Sequence, residues 1–192
     1  EYGSVAVEAA SAIEGLDLAV VATPTESHFE IAQALVASGV HVLVEKPITQ
    51  TLEQADALIA AARARGVVLA VGHSERFNPA VVAARPYIKD PRFIEVHRLG
   101  TQVGRSLDID VVLDLMIHDL DLILSTVPSE VESVEAVGVP VLTPKVDIAN
   151  ARVRFANGCI ANLTASRISK EPVRKIRFFQ RQSYVSIDTA AK

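Results

Sequence analysis

Short apolar runs separated by amphipathic stretches organise the first third of the chain. LAVVA (18–22), VHVLV (40–44) and VVLAV (67–71) are continuous apolar runs, as expected for strands covered on both faces. Between the first two, TESHFEIAQALVASG (25–39) puts Ile31, Ala32, Leu35 and Val36 on one helical stripe, and Gly39 supplies the C′ position. Pro24 is tolerated early in that helix and disfavours helical geometry at Thr23. Thr51-Leu52-Glu53-Gln54 reads as a capping box, with Thr51 as N-cap and Gln54 at N3. Leu52, Ala55, Leu58, Ile59 and Ala62 supply the second stripe, and Gly66 ends it. Residues 5–15 read as one more helix, feeding the first strand. Strand and helix alternating with short connections predict a parallel sheet with right-handed crossovers.

The pattern changes after Val71. GHSERFNPA (72–80) mixes polar, charged and turn residues and marks a boundary near 72–79. A short helix (79–88), a strand (93–99), a polar loop (100–106) and a long helix (108–127) closed by Pro128 follow. Segments 131–142, 147–156, 159–167 and 173–180 alternate or are rich in β-branched residues, and Asn157-Gly158 is a hairpin turn. The second part therefore reads as an antiparallel sheet with at least one long helix packed on it. Such a sheet exposes a face, and one rich in Val, Ile and Phe would need covering.

Composition adds limits. Apolar residues make up 49% and charged residues 22%, with a net charge of −4, so nothing invites nucleic acid or an anionic membrane. The single cysteine, Cys159, cannot form an internal disulfide, which fits a reducing, cytoplasmic setting. The apolar runs are too short to span a bilayer. The chain begins at Glu1 rather than at a methionine.

Candidate chemistry gathers at three places. Glu45-Lys46-Pro47 closes the second apolar run, and ligands of open α/β sheets bind outside the carboxyl ends of the strands; a solvated charge pair beside a turn proline has the same sequence. Asp114 and His118 are four apart on the long helix, so a carboxylate can orient an imidazole for acid/base work. The stripe Asp110, Asp114, His118, Asp121 is equally that of a solvated helix face. His73, Glu75, Arg76 and Asn78 follow the third strand's carboxyl end; a strand cap, a surface Arg76–Glu75 pair and a turn opener are their ordinary readings. His28 reads as a helix-surface or helix N-terminal residue, Cys159 as a core or strand residue, and His41 and His97 receive no role. His118, Asp119 and Asp121 match no closed zinc spacing, so no metal is expected. No GxGxxG or GxxxxGK turn occurs in the chain.

VVATPTESH, VLVEKPIT, VGHSERFNPA and DLMIHDLDLI, in this order and spacing, resemble the Gfo/Idh/MocA family of NAD(P)-dependent oxidoreductases, with the Glu-Lys-Pro tripeptide as hallmark and the Asp-x-x-x-His helix as companion. The resemblance covers essentially the whole chain. It implies the later part of a Rossmann dinucleotide-binding domain with a doubly wound parallel sheet (1–74), then an α+β substrate and oligomerisation domain with a large open, mainly antiparallel sheet (75–192). The cofactor would be NAD or NADP. Lys46 would sit beside the nicotinamide and the reacting carbinol. Asp114 and His118 would contact substrate, with His118 as acid/base. Thr23, Pro24, His28, Glu45 and Pro47 would lie on the cofactor side, and Arg76 and Asn78 would line the cleft. GHSERFNPAV and LDLMIHDLDLIL are most similar to members acting on C3 of UDP-N-acetylhexosamines. Inositol, glucose or deoxysugar oxidation and a non-catalytic dimerising relative are the alternatives. A homodimer or homotetramer through the C-terminal sheet is implied. The family's glycine-rich turn and acidic ribose-binding strand are expected upstream of Glu1, and the C-terminal end is expected to be short as well. A chain of this content alone is expected to bind NAD weakly.

Overall fold

The computed structural model describes residues 15–101 and 109–190. They divide into two compact units, the first ending at Gly72 and the second starting at His73. The expected helix at 5–15 falls, apart from Gly15, outside the described residues, as does most of the loop at 100–106.

The first unit runs β1 (Leu18–Val21), α1 (Thr25–Ala37), β2 (His41–Val44), α2 (Leu52–Arg65) and β3 (Leu69–Val71). Its strands are parallel in the order β1-β2-β3, in register from Leu18 opposite His41 to Val44 opposite Val71. α1 buries Ala32, Leu35 and Val36, and the chain turns away at Gly39, φ 83°. α2 starts at Thr51, whose side chain accepts the Gln54 N–H, and ends at Gly66 in the left-handed conformation. The return bond of the expected capping box is shifted by one residue, since Gln54 Oε1 accepts the Gln50 N–H at 3.2 Å.

The α2 stripe is narrower than expected: Leu58 and Ala62 are buried, but Leu52 is 80% exposed and Ile59 37%. The described residues cover one face of β1; Leu18 and Val20, on the other, are each 60% exposed. Right-handed crossovers between neighbouring parallel strands put both helices on one side, and α1 and α2 pack on each other there.

The second unit opens with a 3-10 turn (Ser74–Phe77), α3 (Pro79–Ala84) and another 3-10 turn (Arg85–Tyr87). β4 (Pro91–Leu99), a π-helical stretch (Val112–Met116) and α4 (Ile117–Thr126) follow. β5 (Val131–Val139), β6 (Ile148–Phe155), β7 (Ile160–Ser166), β8 (Val173–Gln180) and β9 (Tyr184–Asp188) complete it. The six strands are ordered β5-β6-β7-β4-β8-β9, antiparallel except for β4 beside β7. β9 was absent from the expected strands, and the single long helix expected at 108–127 is a π stretch followed by α4. At the hairpin, Gly158 has φ 84°, and Asn157 Oδ1 accepts the N–H of the buried Cys159 at 3.0 Å. Burial raises the Cys159 thiol pKa to about 11. Among the described residues no helix is long and apolar enough to cross a membrane.

Alternation along the strands turns Ile94, Val96, Val153, Leu163, Ile176 and Phe178 into the core. The opposite face carries apolar residues, among them Val137, Val139 and Phe179, each at least 39% exposed, and a polar row between them. Its middle row crosses the sheet as Glu135, Arg152, Asn162, Glu95 and Arg177. Arg152 donates to Asn162 at 3.1 Å, and Arg177 pairs with Glu95 at 2.5 Å.

The β5–β6 connection is organised by Asp147, which is fully buried. Its Oδ2 accepts the N–H groups of Val141, Leu142 and Thr143 at 2.7–2.8 Å, and its Oδ1 accepts the Thr143 hydroxyl at 2.8 Å. Burial pushes this carboxyl up, but the bonds from Thr143, Val141 and Leu142 outweigh burial and hold it well below the usual carboxylate range. A depressed folded-state pKa contributes stability that is present above the unfolded value, about 4, and is lost as pH falls towards the folded value. Asp147→Asn is therefore expected to lower the melting temperature at neutral pH and to flatten its fall below about pH 4. Parallel acid profiles of the two proteins would exclude Asp147 as a source of that fall.

Candidate functional site

In the first unit the candidate residues collect at the carboxyl ends of the parallel strands. The ladder ends with Glu45 N–H donating to Val21 O at 2.9 Å and Gly72 N–H donating to Val44 O at 2.8 Å. Beyond it the chain turns at Thr23-Pro24 and at Glu45-Lys46-Pro47, where the Lys46–Pro47 bond is cis. Ser27 Oγ lies 2.7 Å from Thr23 Oγ1 and 2.8 Å from Pro24 O, closing the first turn onto α1. Glu45 Oε2 accepts the Lys46 N–H at 3.3 Å. That carboxyl group lies over Gly72, where an added Cβ would come within 2.9 Å of it. A side chain at 72 would therefore make the Glu45 carboxylate swing aside.

His28 lies in the first turn of α1, one of the two places expected, but it is not on the surface. It is 1% exposed. Its Nδ1 lies 2.9 Å from Pro47 O and its Nε2 2.8 Å from Thr23 O. The structure thus brings Thr23, Pro24, His28, Glu45, Lys46 and Pro47 together at one sheet edge. Thr23 and Pro24 are exposed there, and Lys46 is half-buried. Exposed turns and a lysine at the carboxyl ends of parallel strands are a setting into which the nicotinamide end of a dinucleotide fits.

In the second unit, Asp114 lies within the π stretch and His118 is the second residue of α4, both half-buried. In an α-helix four residues overshoot one turn, and the wider π turn reduces the overshoot, so the two stay on one side of a continuous rod. π insertions occur frequently at functional sites. The rest of the supposed solvated stripe is engaged. Asp110 Oδ1 accepts the N–H groups of Val112 and Leu113 at 3.0 Å, capping the rod. Asp121 holds Arg76 through bonds of 2.6 and 2.5 Å, and His73 Nε2 lies 3.9 Å from its Oδ1.

Arg76 therefore does not pair with Glu75. Glu75 turns instead to the buried Arg98 of β4 at 3.2 Å, and Arg98 also grips the buried Asp119 through two bonds of 2.8 Å. Burial works against the Arg98 charge, yet Asp119 and Glu75 outweigh it and its proton is held more tightly than usual. Asn78 accepts the Ala80 N–H at 3.0 Å as the cap of α3. Two salt-bridge systems thus tie the 73–78 segment to the helix that carries His118. Arg98 carries no sequence signal, and Asp119 carries only its place in the His118, Asp119, Asp121 spacing. Among the described residues no group of three or more His, Cys, Asp or Glu is placed to hold a metal ion.

Comparison with known proteins follows the same division. Residues 3–73 match the family model described as "Oxidoreductase family, NAD-binding Rossmann fold", and residues 96–182 match the "GFO/IDH/MocA C-terminal domain". UDP-N-acetylglucosamine 3-dehydrogenase of Acidithiobacillus ferrooxidans is 47% identical over 174 residues, which are 90% of this chain and 56% of that protein. A solved structure of that enzyme superimposes with a TM-score of 0.90 at 44% identity, covering 95% of this chain and 61% of the other. Myo-inositol dehydrogenase Hyg17 of Streptomyces leeuwenhoekii is 30% identical over 168 residues, 80% of this chain and 52% of that protein. The chain spans little more than half the length of these relatives.

The Arg98–Asp119 and Arg76–Asp121 salt bridges differ in burial, and so should the effects of breaking them. Asp119→Ala leaves Arg98 buried with only Glu75 beside it and should cost about 3–5 kcal/mol. Asp121→Ala releases Arg76, whose side chain is 44% exposed, and should cost only about 1 kcal/mol. Urea unfolding of both variants measures the difference, and equal losses would contradict the burial argument.

Proposed function

The chain belongs to the Gfo/Idh/MocA oxidoreductase family, and on that premise we propose that the whole protein is an NAD(P)-dependent sugar dehydrogenase. It transfers hydride between a secondary alcohol, C3 of a UDP-N-acetylhexosamine, and nicotinamide. The observation that carries this reading is the identity with UDP-N-acetylglucosamine 3-dehydrogenase, which extends across both units. The myo-inositol dehydrogenase relative supports the broader class, oxidation of a ring hydroxyl.

Bound nicotinamide supplies the hydride acceptor. The ammonium of Lys46 donates a hydrogen bond to the alcohol oxygen and stabilises its developing negative charge. His118 takes the hydroxyl proton, and Asp114 orients its imidazole. Thr23, Pro24, Glu45 and Pro47 border the cofactor, while Arg76 and Asn78 border the sugar. A cytoplasmic homodimer or homotetramer formed through the open face of the six-stranded sheet completes the proposal. The exposed Val137, Val139 and Phe179 on that face support the reading, as apolar surface that a second copy would cover.

In the full-length protein, Lys46→Ala and His118→Ala should each lower kcat by at least about a hundredfold. Formation of NADH from UDP-N-acetylglucosamine, followed by absorbance, measures it. Near-normal turnover in both variants would refute the assignment.

A further inference from the structure

His28 occupies a position on α1 where an apolar side chain would ordinarily pack. With Ala32, Leu35 and Val36 it completes the buried stripe of that helix. Its ring lies just past the end of the β1–β2 ladder, whose last backbone bond is Glu45 N–H to Val21 O. Two carbonyls outrun the ladder there, and His28 faces both: Pro47 O from Nδ1 at 2.9 Å and Thr23 O from Nε2 at 2.8 Å. Each carbonyl adjoins a proline (Pro24 follows Thr23, and Pro47 carries the other), so neither turn has its full set of N–H groups. An imidazole with one proton donates to one carbonyl, and with two it donates to both.

We propose that His28 is a positioning residue for Lys46: a rigid two-sided spacer that sets the Glu45-Lys46-Pro47 turn at a fixed distance from the Thr23-Pro24 turn. The role is distinct from touching cofactor, since the side chain is 1% exposed and both ring nitrogens are directed at backbone. Lys46 is flanked on each side by a held residue. Before it, Glu45 is bonded through its N–H to Val21 O; after it, the Pro47 carbonyl lies 2.9 Å from His28 Nδ1. No other side chain presents nitrogens on opposite edges of one flat ring. Glutamine offers its donors from a single end, and phenylalanine fills the space without donating. A catalytic group displaced by an ångström loses much of its effect.

The inference rests on the dehydrogenase reading for its catalytic consequence but not for its structural content. The test compares His28→Phe and His28→Gln in the full-length protein, with Lys46→Ala as control. One readout is the acylation rate of the Lys46 amine by an N-hydroxysuccinimide ester, resolved by peptide mass spectrometry against Lys89 and Lys145. In His28→Phe this rate should change at least about threefold while the reference lysines hold, and kcat should fall at least about tenfold with sugar KM within about threefold. His28→Gln should lie between His28→Phe and the unmodified protein in both readouts. Unchanged Lys46 labelling with kcat within about twofold in both variants would overturn the proposal. Joint changes of Lys46, Lys89 and Lys145 labelling with a large fall in melting temperature would also overturn it, as a general packing loss. If Lys46→Ala keeps its turnover, the dehydrogenase reading fails, and the labelling still decides the positioning role.

Discussion

A buried backbone carbonyl or N–H that outruns its β-ladder must find another partner, and that demand organises both units. An unsatisfied buried group costs about 1–3 kcal/mol, so the turns at strand ends can hold one shape only if something bonds them. In the first unit the imidazole of His28 faces the carbonyls of Thr23 and Pro47. In the second, Asp147 gathers the N–H groups of Val141, Leu142 and Thr143. Arg167 Nη2 donates to Ile109 O at 2.7 Å and Val146 O at 3.0 Å. Ile109 immediately precedes Asp110, the cap of the rod that carries Asp114 and His118. The regions that carry candidate chemistry are therefore held by side chains where the sheets have already ended.

Charge does the same work on α4 from the side. Asp119 and Asp121 lie two residues apart and project in different directions on the helix. Asp119 is bound to Arg98 of β4, and Asp121 to Arg76 of the preceding 3-10 turn. A buried ion pair is weak grounds for stability, because desolvation opposes the Coulomb gain. Its geometry is nonetheless demanding: a bidentate guanidinium accepts a carboxylate in few orientations. Two such pairs on different sides of α4 fix its rotation, and with it the direction in which His118 projects.

These devices divide sharply in how legible they were from sequence. The strands and helices of the first unit were readable to within about two residues, because periodicity, Thr51 and the glycines at 39 and 66 are local signals. The ionic network was not. Arg98 and Asp119 are 21 residues apart, Arg76 and Asp121 45, and Arg167 and Ile109 58; such partners meet only after strand order is set. The π stretch has no compositional signature, and β9 is short and half-polar. His28 is a different case. A polar residue on a helix is ordinarily a surface residue, yet the spacing of His28 to Ala32, Leu35 and Val36 is that of a buried stripe. Periodicity applied without regard to residue type would have placed it inside.

The Glu-Lys-Pro tripeptide stood out in sequence as a unit, and the structure shows why its outer members belong to it. Glu45 closes the ladder with its N–H, folds its carboxylate over Gly72 and accepts the Lys46 N–H. Pro47 has no N–H to satisfy and turns its carbonyl to His28. The residues beside Lys46 thus settle the backbone on both sides of it. Their contacts reach further along the chain, to a glycine just after β3 and a histidine on the buried face of α1. A change at Gly72 or His28 therefore acts on Lys46 without touching it: an added Cβ at 72 pushes the Glu45 carboxylate away from one side, and loss of the imidazole releases Pro47 on the other.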